Sequence, residues 1–363
     1  MTKSIDNIGL ACGGTGGHIS PALALASNFK NYNLKPIFFT DVRGSFLLKS
    51  ISHYVVISGS PSEKGLNKII NLFKLFLGVL QSTYFLYKSK IKLVIGFGGY
   101  TSVPIILAAR ILNIPSIIHE QNKILGRANK FCSIFCDKVA LSFSLKGGDI
   151  NNSKFILTGN PVSKQFEKIK PKSFSTNKKE FVLLVIGGSQ GASIFSQIVP
   201  KAIGNLPENF KKKIHIYQQC RENERKVLTN NYKKLGIKFK VSNYFNKIYE
   251  IFNKTDLIIA RSGGSTITEI IASGKPSFLI PLPNSLDNHQ KENAYVLKKQ
   301  KACIFFEQKD FNEISLSKKL CMAFSSEVIL RDMSINSRSI YIKNAAKNII
   351  QLVLTTKREI KNE

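Results

Sequence analysis

The chain has 363 residues, of which 43% are hydrophobic, and it carries a formal net charge of +30. This length exceeds that of one ordinary hydrophobic core and predicts two domains, while the apolar content excludes wholesale disorder. The charge indicates an anionic partner, such as a membrane surface, a nucleic acid or a phosphorylated substrate, unless the lysines are simply scattered over solvated faces.

The cysteines and the apolar segments limit where in the cell this protein is expected to be. Six cysteines are present without CxxC spacing, which favours free thiols in a reducing compartment. The sequence does not begin with a signal-peptide pattern. Its longest uncharged apolar segment, residues 75–87, is shorter than the ~20 residues that a spanning helix needs. We therefore expect a cytoplasmic protein that is at most peripheral to a membrane.

The chain opens with an apolar run, residues 8–12, which a glycine-rich turn at residues 13–17 and a helical segment follow. Glycines permit close backbone approach, and the N–H groups of a first helical turn attract anionic oxygens. A dinucleotide site is not predicted, because Ile19 takes the place of the third glycine in G-x-G-x-x-G. Instead, His18 places an imidazole at the mouth of the turn.

Short apolar runs alternate with helical patterns, which predicts parallel sheets with helices on both faces. The predicted strands of the first half are residues 8–12, 36–40, 54–57, 93–96, 116–119, 138–141 and 155–158. The pattern then restarts, with strands predicted at residues 181–186, 214–218, 237–241, 257–260, 277–280 and 302–306. The predicted fold class is therefore α/β, with two Rossmann-like doubly wound domains.

The domain boundaries follow from composition. A stretch rich in Lys, Pro and Ser and without periodicity, residues 164–179, is the predicted linker. Residues 334–360 are predicted to form one terminal helix. We accordingly expect an N-terminal domain of residues 1–163, a C-terminal domain of residues 164–335, and a C-terminal helix, residues 336–363, that packs back on the N-terminal domain.

Residues 66–88 are predicted to form a helix with an unusually wide apolar face. The apolar positions are Leu66, Ile69, Ile70, Leu72, Phe73, Leu75, Phe76, Leu77, Val79, Leu80 and Phe85, and the flanking lysines are Lys64, Lys68, Lys74, Lys88 and Lys90. This pattern suits either an ordinary core helix or a helix at an anionic bilayer interface.

Four glycine-rich turns lie near strand ends, at residues 13–17, 96–104, 187–192 and 261–269. Ligands of open α/β sheets bind beyond the carboxyl ends of the strands. Four such turns in two domains together predict a cleft between the domains that holds a phosphorylated ligand, although each turn alone is weak evidence.

The fourth turn is the most informative. Gly263 and Gly264 precede a helix whose first turn carries Ser265 and Thr266, and such a helix N-terminus would meet a phosphate. Glu269, one turn further, would accept hydrogen bonds from the hydroxyls of a ribose, unless it is a solvated helix residue. The polar residues at 281–294 suit a sugar with several hydroxyls, or they fill a loop.

Neither a metal site nor an NTPase is indicated. The HEQN motif of residues 119–122 is not HExxH, and the five histidines do not cluster in the sequence. The phosphate-binding motif G-x-x-x-x-G-K-[ST] is also missing from the sequence.

Together, the motifs resemble the family of bacterial UDP-N-acetylglucosamine:undecaprenyl-pyrophosphoryl-muramoyl-pentapeptide N-acetylglucosaminyltransferases, which convert lipid I to lipid II in peptidoglycan synthesis. The motifs are GGTGGH at residues 13–18, GGY at 98–100, HEQN at 119–122, GNPV at 159–162, GGSQGA at 187–192, RSG at 261–263 and Glu269. They cover essentially the whole chain in the family's order.

The resemblance implies a B-type glycosyltransferase fold and an inverting, metal-independent transfer that needs no cofactor. UDP-GlcNAc would bind mainly to the second domain and the undecaprenyl-linked lipid I to the first. The enzyme would lie peripherally on the anionic cytoplasmic leaflet of the cell inner membrane, and no nucleic-acid partner is implied.

The resemblance also assigns roles to individual positions. Glu269 would bind the uridine ribose, and the backbone of Phe245 would contact uracil. The remaining donor contacts would be Gly264, Ser265, Thr266, Ile267 and Thr268 at the α-phosphate, Ser189 at phosphate, Gln290 and Asn122 at the sugar, and Thr15, Gly16 and Gly17 beside His18.

The chemistry needs a base for the muramoyl 4-hydroxyl. A neutral imidazole with a pKa of about 6.5 suits that task, which makes His18 the candidate, with a structural hydrogen bond in the turn as the alternative. One position departs from the family pattern, because the usual arginine after Asn-Pro-Val is Ser163 here, followed by Lys164. Serine does not replace an arginine fork, so either Lys164 takes over this donor contact or the contact is lost and donor affinity is lower.

Three other functions stay open at this point. A transferase of the same architecture could use another lipid acceptor, such as diacylglycerol. A UDP-GlcNAc 2-epimerase would share the fold but would need no apolar, cation-flanked helix. A basic nucleic-acid binder would show interleaved aromatic and basic residues, which we do not find.

Overall fold

The computed structural model describes residues 5–14, 16–58, 66–145, 153–172, 174–176, 178–188 and 191–359. The chain divides into two compact units. The first comprises Met1–Ser163 and Ile342–Glu363, and the second comprises Lys164–Tyr341.

The first unit is a parallel sheet with helices on both faces. Its strands are β1 (Asp6–Ala11), β2 (Leu34–Thr40), β3 (His53–Val55), β4 (Ile91–Gly96), β5 (Ser116–Glu120), β6 (Lys138–Leu141) and β7 (Phe155–Leu157). Its helices up to residue 163 are α1 (Gly16–Ala26), α2 (Val42–Ser45), α3 (Leu66–Lys88), α4 (Ser102–Ile111) and α5 (Arg127–Phe135). The seven strands lie in the order β3-β2-β1-β4-β5-β6-β7.

The second unit repeats this plan. Its strands are β8 (Phe181–Ile186), β9 (Ile214–Gln219), β10 (Lys238–Ser242), β11 (Leu257–Ala260), β12 (Ser277–Leu279) and β13 (Cys303–Phe305), in the order β10-β9-β8-β11-β12-β13. The helices are α6 (Lys164–Glu167), α7 (Ser193–Gly204), α8 (Glu208–Lys211), α9 (Arg225–Lys234), α10 (Ile248–Lys254), α11 (Gly264–Ser273), α12 (His289–Lys299) and α13 (Glu313–Phe324). The α/β doubly wound class is confirmed, and every predicted strand is present with its ends shifted by at most two residues.

The end of the chain differs from the prediction of a single helix over residues 334–360, which is wrong. The structure has α14 (Glu327–Ile340) and α15 (Ala345–Glu359). Asn344 between them adopts a left-handed backbone, with φ of 60°, a conformation that cannot continue a helix. The first helix therefore ends in the second unit, and α15 belongs to the first.

Helix α15 completes a core of the first unit. Ile349, Ile350 and Val353 are fully buried in the cluster that also contains Ile8 and Leu10 of β1. Successive strand residues point to opposite faces of a sheet, so the intervening side of β1 contributes to a second core. Both faces of the sheet are thus covered.

The predicted linker, residues 164–179, is also wrong, because this stretch is bound to the second unit. Lys172 and Lys178 place their Nζ atoms 2.9 and 2.7 Å from Oδ1 of Asp256. Asp256 is fully buried, and a buried carboxylate needs such partners. A lysine-rich stretch that looks like a solvated connection is therefore held by a residue nearly 80 positions away.

The sheet topology gives the glycine-rich turns a common position. In each sheet the strand order reverses at one place, between β1 and β4 in the first unit and between β8 and β11 in the second. A ligand crevice of an open α/β sheet lies at such a reversal. Each of the four turns directly follows one of these four strands.

Candidate functional site

In the first unit, the turn after β1 packs against the turn after β4. A Cβ on Gly13 would lie 2.2 Å from Oγ1 of Thr101, so only glycine fits there. Ser102 donates to the carbonyl oxygens of Ala11 and Gly98, at 3.2 and 2.9 Å, and thereby ties β1 to the second turn. Gly16 and Gly17 form the first turn of α1, whereas Thr15 lies outside the described residues.

His18 lies at the junction of these two turns. Its Nδ1 is 2.9 Å from the carbonyl oxygen of Gly13, and a Cβ on Gly99 would lie 3.3 Å from the same nitrogen. Because a carbonyl oxygen only accepts hydrogen bonds, Nδ1 carries a proton, and in the neutral imidazole the lone pair is therefore on Nε2. The imidazole is thus held in the tautomer that can accept a proton.

The HEQN motif after β5 forms a buried polar network around Glu120. This carboxylate is 2% exposed and accepts hydrogen bonds from Nδ2 of Asn129 at 2.8 Å, N of Gly126 at 2.9 Å, and both N and Nδ2 of Asn122 at 3.0 and 2.9 Å. The amide of Asn122 is therefore oriented with its nitrogen toward Glu120. Sequence reasoning gave Glu120 no role, although a carboxylate inside the motif is a signal that could have done so.

His119 is a structural member of this motif. Its Nε2 lies 3.1 Å from the carbonyl oxygen of Gly159, and Nε2 of Gln121 donates to its Nδ1 at 3.1 Å. Burial lowers the pKa of His119 to about 4. His119 is therefore neutral near pH 7 and fixes the loop, while His18 remains the more accessible imidazole.

Asp41 organises the turn after β1 from the neighbouring strand. Its Oδ1 accepts from N of Gly14 at 3.1 Å and from N of Gly44 at 2.7 Å. Partial burial alone would raise its pKa, but these bonds and the charge of Arg43 hold the pKa of Asp41 below its usual value. Sequence reasoning missed this residue, whose signal is an aspartate at the N-cap of a short helix after a strand.

In the second unit, helix α11 begins directly after the turn that follows β11. The N–H of Ile267 makes a helical hydrogen bond to the carbonyl oxygen of Gly263 at 2.9 Å. The positive end of the helix therefore lies at Gly264, Ser265 and Thr266, where anions are favoured. Thr268 turns inward and donates to the carbonyl oxygen of Gly264 at 2.9 Å.

Glu269 lies one turn further along α11. Burial raises the pKa of its carboxyl group to about 8, because desolvation disfavours the charged form. A ligand whose hydroxyls donate to this group would compensate for the lost water. Raised carboxyl pKa values of this kind occur at binding sites more often than on solvated helix faces.

The loop after β12 is fixed by amide and guanidinium hydrogen bonds. Oε1 of Gln290 accepts from N of Leu282 at 3.0 Å, which turns the amide nitrogen of Gln290 away from the loop backbone. Arg261 donates from Nη1 to the carbonyl oxygens of Ile280 and Pro281, at 3.0 and 2.9 Å. Sequence reasoning named Arg261 within a motif but did not foresee this positioning contact.

Of the other residues predicted to contact the donor, the structure describes Phe245 and Lys164 but not Ser189. Phe245, just after β10, is 8% exposed and packs edge-on against Tyr217 at a centroid distance of 6.5 Å. Ser189 lies outside the described residues, in the turn whose flanking Gly188 and Gly191 have φ of +80° and +69°. Lys164, the candidate substitute for the missing arginine, is exposed.

Comparison with known proteins identifies the family. Residues 8–141 match the glycosyltransferase family 28 N-terminal domain, and residues 182–353 match the glycosyltransferase family 28 C-terminal domain. The chain belongs to glycosyltransferase family 28.

Curated relatives of this family 28 chain share one name, UDP-N-acetylglucosamine–N-acetylmuramyl-(pentapeptide) pyrophosphoryl-undecaprenol N-acetylglucosamine transferase. The relative from Wolbachia sp. subsp. Brugia malayi (strain TRS) is 36% identical over 348 residues, which are 96% of this chain and 98% of the relative. The relative from Paramagnetospirillum magneticum (strain ATCC 700264 / AMB-1) is 33% identical over 359 residues, 96% of each chain.

Solved structures show the same architecture. The crystal structure of MurG from Acinetobacter baumannii has a TM-score of 0.77 and 25% identity, and the match covers 96% of this chain and 99% of that one. The UDP-GlcNAc 2-epimerase from Neisseria meningitidis, bound to UDP-GlcNAc, has a TM-score of 0.65 at 15% identity, with 96% and 100% of the chains covered. The second likeness shows the fold alone.

Helix α3 of the family 28 chain leaves an apolar stripe in solvent. Gly78, Ser82 and Leu86 face inward, and a Cβ on Gly78 would lie 2.1 Å from the carbonyl oxygen of Ile57. The opposite side exposes Ile69, Ile70, Leu72, Phe73, Phe76, Leu80, Tyr84 and Tyr87, each at least 49% accessible. An ordinary core helix would bury these side chains, so that interpretation is wrong. Lys64 and the side chain of Lys68 lie outside the described residues.

Among the described residues, one segment, Ile69–Lys88, is long and apolar enough to cross a membrane by length and composition, and 17% of it is buried. The expectation that no segment reaches that length is therefore wrong. It considered only the uncharged residues 75–87, whereas a membrane-spanning helix can contain a few lysines. Length and composition alone are weak evidence, since core helices also pass this criterion.

Proposed function

We propose that this chain transfers N-acetylglucosamine from UDP-GlcNAc to the muramoyl 4-hydroxyl of lipid I, with inversion, and so produces lipid II for peptidoglycan synthesis. The observation that carries this proposal is the similarity at 33% to 36% identity over about 96% of the chain to relatives that bear that activity in their name. The turns at both strand-order reversals add the anion-binding geometry that a UDP-sugar transferase needs.

The donor binds to the second unit. The positive end of α11 holds the α-phosphate at residues 264–268, and Glu269 receives the hydroxyls of the ribose. The backbone of Phe245 contacts uracil, Ser189 contacts phosphate, and Gln290 directs its amide nitrogen to the sugar. These assignments rest on the helix geometry, on the hydrogen bond that orients Gln290 and on the family resemblance.

The acceptor binds to the first unit, where His18 acts as the base. Nε2 takes the proton of the muramoyl 4-hydroxyl as the oxygen attacks C1 of the donor sugar, and the bond from C1 to the UDP oxygen breaks. Fixed dipoles at the helix N-terminus stabilise the departing diphosphate. The family resemblance adds Thr15, Gly16 and Gly17, beside His18, to the donor contacts. It also adds Asn122, whose amide nitrogen donates to Glu120.

The enzyme works as a peripheral protein on the anionic cytoplasmic leaflet of the cell inner membrane. The apolar stripe of α3 enters the interface, and the exposed Lys74 and Lys88 meet the acidic headgroups. Such cations contribute about 1 kcal/mol each near the surface. This location fits an acceptor that is tethered to a polyprenyl chain in the membrane.

One assay tests the function. The purified full chain is incubated with UDP-GlcNAc and a water-soluble lipid I analogue, and the products are separated by mass. We expect a lipid-linked disaccharide and UDP in equal amounts. Formation of UDP-ManNAc without acceptor would instead reveal an epimerase, and transfer to diacylglycerol but not to the lipid I analogue would reveal a different acceptor.

A further inference from the structure

The segment that follows β2 exposes an apolar and basic surface. Gly44 and Leu48 face the interior and are buried. Three apolar side chains nearby point outward. Their exposed fractions are 66% for Val42, which precedes Gly44, and 64% and 53% for Phe46 and Leu47, which lie between Gly44 and Leu48. Residues four apart share a side of a helical turn, so Val42 and Phe46 stand together. We call Val42, Arg43, Phe46, Leu47 and Lys49 the α2 surface.

Arg43 connects the α2 surface to the turn after β1. Its Nη2 lies 3.4 Å from Oδ2 of Asp41, whose other oxygen accepts from N of Gly14. A Cβ on Gly14 would lie 3.4 Å from the same Nη2, so the guanidinium lies directly against the turn that holds His18. The Arg43 side chain is nevertheless 76% exposed.

This arrangement matches the chemistry of a phosphate joined to a hydrocarbon chain. A guanidinium fork pairs with phosphate oxygens in two parallel hydrogen bonds, and Asp41 engages only one of its N–H groups here. The aromatic and aliphatic side chains beside it offer an apolar surface, and Nζ of Lys49 lies 5.4 Å from the ring centroid of Phe46. Neither a sugar nucleotide nor a peptide joins a diphosphate directly to a hydrocarbon.

We propose that the α2 surface binds the diphosphate and the first isoprene units of the polyprenyl-linked acceptor, with Arg43 on the diphosphate and Val42, Phe46 and Leu47 on the chain. The proposal rests on the proposed function, because it names how the acceptor of that reaction is held. It leaves the muramoyl sugar at the turn of His18. It also gives a common role to the arginine against the glycine turn and to the exposed apolar side chains that neighbour it in the sequence.

Kinetics on acceptors of different chain length test the assignment. At saturating UDP-GlcNAc, Arg43→Gln should raise the KM for every lipid I analogue by about 10- to 100-fold, the value of a charged hydrogen-bonded contact. Glutamine can still bond to Asp41, so the turn is preserved and kcat should stay within about twofold. An unchanged acceptor KM, with wild-type activity intact, would overturn the proposal and leave the proposed function standing.

A second variant separates the chain from the diphosphate. Phe46→Ser with Leu47→Ser should remove the decrease in KM that the wild type shows as the acceptor is lengthened from one to three isoprene units. Arg225→Gln is the matched control, because Arg225 is 52% exposed and pairs with Glu222 in the second unit. The control should behave as the wild type on every acceptor, and chain-length dependence that persists in the double variant would contradict the apolar part of the surface.

Binding without turnover keeps this test independent of the proposed function. Farnesyl diphosphate, followed by calorimetry, should bind the wild type and lose about 10-fold or more in affinity in Arg43→Gln. Such a result in a chain that transfers no sugar would support the site and refute the function. Short-chain phosphatidylglycerol should bind without any dependence on Arg43. Equal losses for both lipids would show a general lipid contact and overturn the diphosphate assignment.

Discussion

At the scale of single residues, the hydrogen bond between His18 and Gly13 fixes which ring nitrogen can take a proton. We predict that His18→Ala lowers kcat by about 10²- to 10⁴-fold, the usual contribution of a general base. The affinity for UDP-GlcNAc should stay within about twofold, because the proposed contacts to uracil, ribose and α-phosphate are made by Phe245 and residues 264–269 and not by His18. Turnover of a lipid I analogue and calorimetry with UDP-GlcNAc measure the two quantities.

His215→Ala is the control for that comparison. His215 lies on β9, outside the machinery proposed here, so its variant should retain wild-type turnover. If His18→Ala turned over at the wild-type rate, another group would have to accept the proton and the assignment of His18 would fail.

Glu269 should make nucleoside binding depend on pH. Its carboxyl pKa is raised to about 8 by burial, and the ionised form accepts the ribose hydroxyls more strongly. Below pH 8 the free protein is mostly protonated there, so binding must release a proton and the affinity for uridine should fall as pH decreases from 8 to 6. Uridine is the suitable probe, because it has no phosphate that titrates in this range.

The matched variant for this prediction is Glu269→Gln. It should bind uridine more weakly than the wild type at pH 8, and its affinity should not change between pH 6 and 8. A wild-type affinity that stays constant over the same range would show that the carboxylate does not receive the ribose.

At the scale of elements, α3 combines a narrow buried face, formed by Gly78, Ser82 and Leu86, with an exposed apolar stripe. Replacing Phe73, Phe76 and Leu80 with serine should release the protein from vesicles that contain phosphatidylglycerol, because each lost side chain removes about 1.5–3 kcal/mol of apolar burial. Vesicle sedimentation measures the bound fraction. The helix should remain folded, since Gly78, Ser82 and Leu86 still face inward.

The control triple variant replaces Val227, Ile314 and Ile335 with serine. These side chains are 63%, 60% and 59% exposed in the second unit, so the loss of apolar surface is comparable. Their replacement should leave vesicle binding unchanged. Equal release by both variants would point to a nonspecific apolar effect, and unchanged binding of the α3 variant would move the interface elsewhere.

The strands could be predicted from the sequence because most are short apolar runs, and those such as β5, β8 and β11 are buried on both faces of a parallel sheet. The terminal helices could not, since the break consists of an extended Tyr341 and a left-handed Asn344, whose backbone angles are properties of the folded chain. The prediction of a linker at residues 164–179 was wrong for a similar reason. Its lysines find a buried Asp256 that is close only after folding.

The motifs of the candidate site could be predicted from the sequence, but the residues that hold these motifs in position could not. Glycine turns after strands are visible in the sequence, and so is a histidine among them. The contact of Asp41 with Gly14 joins positions 27 residues apart, and the network of Glu120 extends to Asn129 on the next helix. Such positioning groups have no periodicity of their own, so the folded structure is needed to find them.

At the scale of the whole molecule, the first unit is assembled from both ends of the chain. Helix α15 follows the entire second unit in the sequence, yet its aliphatic side chains complete the core beside β1. Asn348 donates to the carbonyl oxygen of Thr158 at 3.0 Å, and Lys357 forms an ion pair with Asp6. One of the two cores of the first unit therefore stays incomplete until α15 is present.

We predict that truncation after Asn344 destabilises the first unit selectively. Ile349, Ile350 and Val353 are fully buried, and each contributes about 1.5–3 kcal/mol, which together approaches the ~5–15 kcal/mol that stabilises a typical domain. Limited proteolysis should digest residues 1–163 first and leave a fragment near residues 164–341. Truncation after Glu359, which keeps α15, should resist the protease as the wild type does, and equal resistance of both truncations would show that the first unit folds without α15.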